Sequence, residues 1–94
     1  MGGSGSSGHD LEFRYEIDAD IKENNVTVFS KSYCPYCKET KELLRSKQII
    51  AKYIELDKLP KGSAIQNELK MMYGQRTVPN VFIKGKHIGG NSAL

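Results

Sequence analysis

The run Val26-Thr27-Val28-Phe29-Ser30 stops just short of Cys34-Pro35-Tyr36-Cys37, and the residues from Pro35 to Lys47 continue as an amphipathic stretch. This junction constrains the fold more than any other part of the chain. The run is short, β-branched and mostly apolar, which marks a buried strand. Proline suits the first position of a helix, where its missing N–H would have no partner. Leu43 and Leu44, set among Lys, Glu and Arg, supply one apolar helix stripe. A strand leading directly into a helix that carries a cysteine at its N-terminal end points to an α/β architecture.

The flanking elements extend that pattern. Leu11, Phe13, Tyr15 and Ile17 alternate with charged residues, as in a strand, yet Phe13, Ile17 and Ile21 also lie four apart, as on a helix face. The helical reading is preferred, over residues 14–24 and ended by Asn24-Asn25. Residues 52–57 read as a second strand. Ser63-Ala64-Ile65-Gln66 fits a capping box, Ile65, Leu69 and Met72 form a helical stripe, and Gly74 closes the helix. The Met71-Met72 pair reads as core filler. Residues 80–84 and 86–88 form a third and fourth strand, joined at Gly85 in an antiparallel hairpin. Two successive strand–helix–strand passages imply right-handed crossovers. The expected fold is α/β, a four-stranded mixed sheet flanked by helices.

The 94 residues allow a single small domain. Residues 1–8, Met-Gly-Gly-Ser-Gly-Ser-Ser-Gly, carry no charge and no packing anchor, so they read as a tag remnant or linker, with the domain over residues 9–94. The formal charge is +3 with the basic residues scattered, unlike the concentrated footprint of a nucleic-acid binder. No apolar run reaches the roughly 20 residues of a membrane span.

The two cysteines are too close in sequence to staple distant parts of a fold. Their place at a strand–helix junction points instead to thiol–disulfide exchange, in which a thiolate is the nucleophile. Backbone N–H groups at a helix start favour negative charge, and Lys31 adds a cation three residues upstream. Cys34 is then the attacking thiol and Cys37, one turn deeper, the resolving one. A zinc site would need two further ligands, and the histidines, His9 and His87, lack paired spacing; no metal is expected. His87 reads as a packed or surface residue.

Three separated segments carry a family resemblance: Phe29 to Cys37 (Phe-Ser-Lys-Ser-Tyr-Cys-Pro-Tyr-Cys), Gly74 to Asn80 (Gly-Gln-Arg-Thr-Val-Pro-Asn) and Gly85 to Gly90 (Gly-Lys-His-Ile-Gly-Gly). From about Ile21 to Leu94 the chain resembles the dithiol glutaredoxins. The resemblance implies a thioredoxin-like, three-layer fold and glutathione-dependent reduction of protein disulfides and glutathione mixed disulfides. It matches Cys34 to the nucleophile and Cys37 to the second cysteine. Lys31 and Gln75 match positions that hold a glutathione carboxylate, by charge and by hydrogen bonding. Thr77-Val78-Pro79 matches a loop whose proline is cis and whose backbone pairs with extended glutathione like an added strand. Tyr36 is expected to line the groove, Gly89-Gly90 to allow close approach, and Asn91 and Ser92 to receive the remaining carboxylate at the start of a last helix.

Members of the family often carry an acidic residue near Ser92-Ala93 and continue past Leu94 into a C-terminal helix, so the resemblance implies a domain shortened at that end, with self-association possible over a monomeric default. The partners it implies are glutathione and disulfide-containing or glutathionylated proteins; the scattered charge argues for no nucleic acid, and the thiol chemistry alone gives the cytoplasm as the expected compartment. The alternative carried forward is a dimeric module holding a glutathione-ligated iron–sulfur cluster, disfavoured by Pro35 where cluster binders more often have a small residue.

Overall fold

The computed structural model describes residues 6–94; residues 1–5, most of the expected linker, lie outside the described residues. The elements are α1 (Ser6–Glu23), β1 (Val26–Ser30), α2 (Pro35–Ser46), β2 (Lys52–Glu55), a 3-10 turn at Leu56–Lys58, α3 (Gly62–Tyr73), β3 (Asn80–Ile83), β4 (Lys86–Gly89) and a second 3-10 turn at Asn91–Ala93.

The strands form one sheet in the order β2-β1-β3-β4. β1 runs parallel to β2 and antiparallel to β3, and β3 pairs antiparallel with β4. The mixed four-stranded sheet is the expected one. Only the first of the two passages, β1–α2–β2, returns parallel; α3 instead carries the chain past β1 to a strand running the other way.

The period-two alternation of a strand then sorts the core. Phe29 and Phe82 point to one face, where they meet Ile17 and Ile21 of α1, Ile65 and Leu69 of α3, and Leu56. Val26, Val28 and Val81 point to the other, against Leu44 of α2. Phe82 packs edge-on to Phe29 and Tyr73, with ring centroids 5.8 and 4.8 Å apart, arrangements that add to simple area burial. The four-apart face of Phe13, Ile17 and Ile21 is thus the buried face of α1, and Arg14 of α1 forms an ion pair with buried Glu68 of α3.

Several boundaries differ from the sequence reading. α1 begins at Ser6, well before residue 14 and inside the segment read as linker. The second strand ends at Glu55, because Leu56–Lys58 winds into a 3-10 turn that drives Leu56 into the core. Ser63 caps nothing: α3 already starts at Gly62, its N-cap is Lys61 without a side-chain bond, and Gln66 donates across the fold to Arg76 O at 2.7 Å. Met72 packs against the core, whereas Met71 is exposed. Gly74, at φ 80°, ends α3 as expected. Lys84 and Gly85, at φ 51° and 82°, form the two-residue hairpin turn, whose left-handed pair matches strand twist.

Candidate active site

β1 ends, β3 begins and β4 ends at the same edge of the sheet, because β3 is antiparallel to both neighbours. The loops leaving that edge carry the cysteines, the Thr77–Pro79 segment and the Gly90–Ser92 segment. Topology therefore assembles the site from three distant stretches of sequence.

Cys34 is the N-cap residue of α2, with extended backbone (φ −85°, ψ 121°), and Pro35 occupies the first turn. The Cys34 amide donates to Lys31 O at 3.1 Å, closing the turn that presents the thiol. Cys34 is half-buried, and its Sγ approaches Val78 O of the cis Val78–Pro79 bond at 3.9 Å. Cys37 lies one turn deeper and is wholly buried. Desolvation pushes the Cys37 thiol above its ordinary value of 9.0, against the opposing pull of hydrogen bonds with the Ser30 hydroxyl and Lys31 backbone. Both cysteines are free thiols. The pair is thus asymmetric: one thiol is reachable at a helix start, and the other is held protonated behind it.

Beside Cys34 opens a cleft of about 490 Å³, lined by Tyr36, Thr77, Val78, Pro79, Gly90, Asn91 and Ser92. All seven are residues that the family resemblance assigns to glutathione binding. Lys31 and Gln75 complete that assignment but are not among the lining groups. Gln75 Nε2 donates to Thr77 O and Pro79 O, both at 3.1 Å, so both amide hydrogens brace the loop, and a carboxylate would have to displace one of them. Arg76 is engaged with Asn67 Oδ1 at 2.9 Å. The last helix expected at Asn91-Ser92 is present as the single 3-10 turn.

Supporting contacts surround these groups, and local sequence gives no sign of them. Asn80, buried at the start of β3, donates to Gln75 O at 3.2 Å and bonds His87 Nε2 at 2.8 Å. His87 is thereby placed as a packed residue, tilted against Tyr73 and Phe82. Asp57 accepts from the Ser32 amide at 2.9 Å and from the Ser32 hydroxyl, which ties the loop before Cys34 to the first 3-10 turn. Those bonds hold the Asp57 carboxyl below its ordinary 3.8. Among the described residues, no group of three or more His, Cys, Asp or Glu side chains could hold a metal ion, and no helix is long and apolar enough to cross a membrane.

Comparison with known proteins bears directly on this geometry. The family model described as Glutaredoxin matches residues 26–88, from the first strand through the hairpin. A glutaredoxin of Vernicia fordii is 56% identical over 70 residues, covering 74% of this chain and 67% of the relative. Monothiol glutaredoxin-S12, chloroplastic, of Arabidopsis thaliana is 48% identical over 90 residues, covering 95% of this chain but only 49% of its own length. Among solved structures, a buckwheat glutaredoxin–glutathione complex superposes with a TM-score of 0.89 at 42% identity, over 92% of this chain and 78% of the other. With the family model matching well over half of its length and relatives alike in sequence and in shape, the chain belongs to the glutaredoxin family of oxidoreductases.

Proposed function

We propose that the protein reduces glutathione mixed disulfides and protein disulfides, with Cys34 as nucleophile and glutathione as electron donor. The observation that carries this reading is the placement of the one accessible thiol at the N-cap of α2, beside a cleft lined by the seven residues named above. The Cys34 thiolate attacks the glutathione sulfur of a glutathionylated protein. The S–S bond breaks, the protein leaves as a thiolate that takes up a proton, and Cys34 carries the glutathione. A second glutathione thiolate then attacks that bond, releasing oxidised glutathione and regenerating Cys34. Over the cycle one free glutathione is consumed, the glutathionyl group leaves within oxidised glutathione, and the protein is left as a thiol.

For a protein disulfide, Cys37 resolves the Cys34–protein intermediate after losing its proton, and a Cys34–Cys37 disulfide is left for glutathione to reduce. Extended glutathione would lie along the Val78 backbone, with its carboxylates toward Lys31 and the Asn91–Ser92 turn. The buckwheat complex supports glutathione as ligand. A cytoplasm rich in reduced glutathione suits a pair that works as free thiols. In an assay coupled to glutathione reductase, Cys34→Ser should abolish turnover of a glutathionylated peptide while Cys37→Ser keeps it. Loss of turnover in Cys37→Ser would sink the assignment.

A further inference from the structure

We infer that Thr40 is a positioning residue of this site: acting through Asn91, it fixes the Gly90–Ser92 wall of the cleft against α2 and so sets the affinity for glutathione. The inference rests on the function proposed above.

Thr40 lies in the interior of α2 and is wholly buried. A β-branched residue there costs helix propensity, and its hydroxyl ordinarily turns back to a carbonyl of the preceding turn. Here it donates across the fold to Asn91 Oδ1 at 2.7 Å. The other end of the same carboxamide, Asn91 Nδ2, donates to Glu39 Oε1 at 3.0 Å. An ionised carboxylate only accepts, so the amide nitrogen must face Glu39 and the oxygen must face Thr40. Two adjacent residues of α2 therefore grip one side chain of the cleft wall from both ends.

Among the described residues, the other hydrogen bonds of that wall are local to the turn. The Asn91–Ala93 turn is a single 3-10 turn closed by Ala93 N–H to Gly90 O at 3.0 Å and Leu94 N–H to Asn91 O at 3.1 Å, and its N-cap makes no side-chain bond. Short 3-10 turns have poor hydrogen-bond geometry. The helix that presents the two thiols thus also fixes the far side of the cleft through Thr40 and Glu39, two residues outside the three segments that carry the resemblance.

The test uses the full chain, a glutathionylated peptide as substrate, and Thr40→Val set against Thr40→Ser. Loss of one buried hydrogen bond acting on binding predicts that Thr40→Val raises KM roughly five- to tenfold. Turnover number should hold within about twofold, because the thiols keep their own contacts. Thr40→Ser, which retains the hydroxyl, should restore KM. In parallel, hydrogen exchange at the Ala93 amide should accelerate in Thr40→Val and not in Thr40→Ser. An unchanged KM in Thr40→Val, or equal impairment in Thr40→Ser, overturns the inference. A wild-type chain without turnover refutes the proposed function instead, and unaltered Ala93 exchange in Thr40→Val then refutes the clamp independently. If Thr40→Val does not fold by circular dichroism, Glu39→Ala on the exposed face of α2 carries the same expectations.

Discussion

Replacing Gly62 by alanine sets two physical effects against each other. In a helix, alanine is favoured over glycine by about 1 kcal/mol, partly because it restricts the unfolded chain. On that ground alone Gly62→Ala should stabilise the first turn of α3. The structure opposes it: a Cβ at Gly62 would stand 1.9 Å from Leu56 O, 2.7 Å from Leu56 C and 3.2 Å from Leu56 Cα. All three are backbone atoms, so no rotamer change relieves the contact. Ordinary contact requires a displacement of more than about 1 Å. Leu56 is only 2% exposed and packs with Ile65 and Leu69, so moving its carbonyl pulls a core side chain or tilts α3. Overpacking of this kind costs about 1–3 kcal/mol, at the upper end when backbone must move. With the propensity gain set against it, the net effect is a loss of about 2 kcal/mol, or roughly a 10 °C fall in midpoint for a domain of this size. Gly74→Ala is the contrast: no atom lies within 4 Å of its Cβ, so it tests the φ of 80° alone. Thermal and urea unfolding followed by circular dichroism read both. A Gly62→Ala protein as stable as wild type, or more so, would refute the close packing of the first 3-10 turn on α3.

Two further expectations concern titrating groups. Because burial raises the Cys37 thiol while leaving it inaccessible, iodoacetamide at pH 7–8 should modify Cys34 in the native protein and reach Cys37 only after denaturation; peptide mapping that finds equal labelling refutes the burial. Asp57 has a depressed folded value, so its contribution is present above the unfolded value near 3.8 and is lost as pH falls through the lower folded value. Asp57→Asn should therefore lower stability at pH 7, and the gap to wild type should close as the pH is brought below 3.8; a gap that persists undiminished at low pH contradicts the Ser32 contact.

Elements whose cause is local were legible in the sequence. Gly74 ends α3 and Gly85 shares the hairpin turn with Lys84, both glycines at left-handed φ, and each glycine could be placed from its backbone freedom alone. The Val26–Ser30 strand and its junction with Pro35 depend only on neighbours in the chain. What escaped was set by distant partners. Ser63 and Gln66 satisfy the capping pattern, yet Gln66 is taken by Arg76 O and Gly62 is seated against Leu56, so α3 starts earlier and without a side-chain cap. Lys52 to Asp57 continues a strand pattern, but Leu56 leaves it for the core. Likewise, the cysteines and seven cleft residues were visible as motifs, whereas Thr40, Asn80 and Asp57 look like ordinary polar residues until their partners, 51, 7 and 25 positions away, are known. Gln75 is of the same kind: its motif position gives no sign that its amide also braces the loop through Thr77 O and Pro79 O.

The meeting of Cys34 with Val78 has a consequence for synthesis of the chain. The two stand 44 positions apart, and they come together only when β3 docks against β1, a pairing that closes a long loop. While the chain is still being made, the cysteines emerge ahead of the loop that faces them and ahead of the segment that walls the cleft. A nascent chain therefore displays two thiols without a binding site. Turnover would then be an all-or-none reporter of completed folding, dark for every partly folded intermediate however much helix it contains.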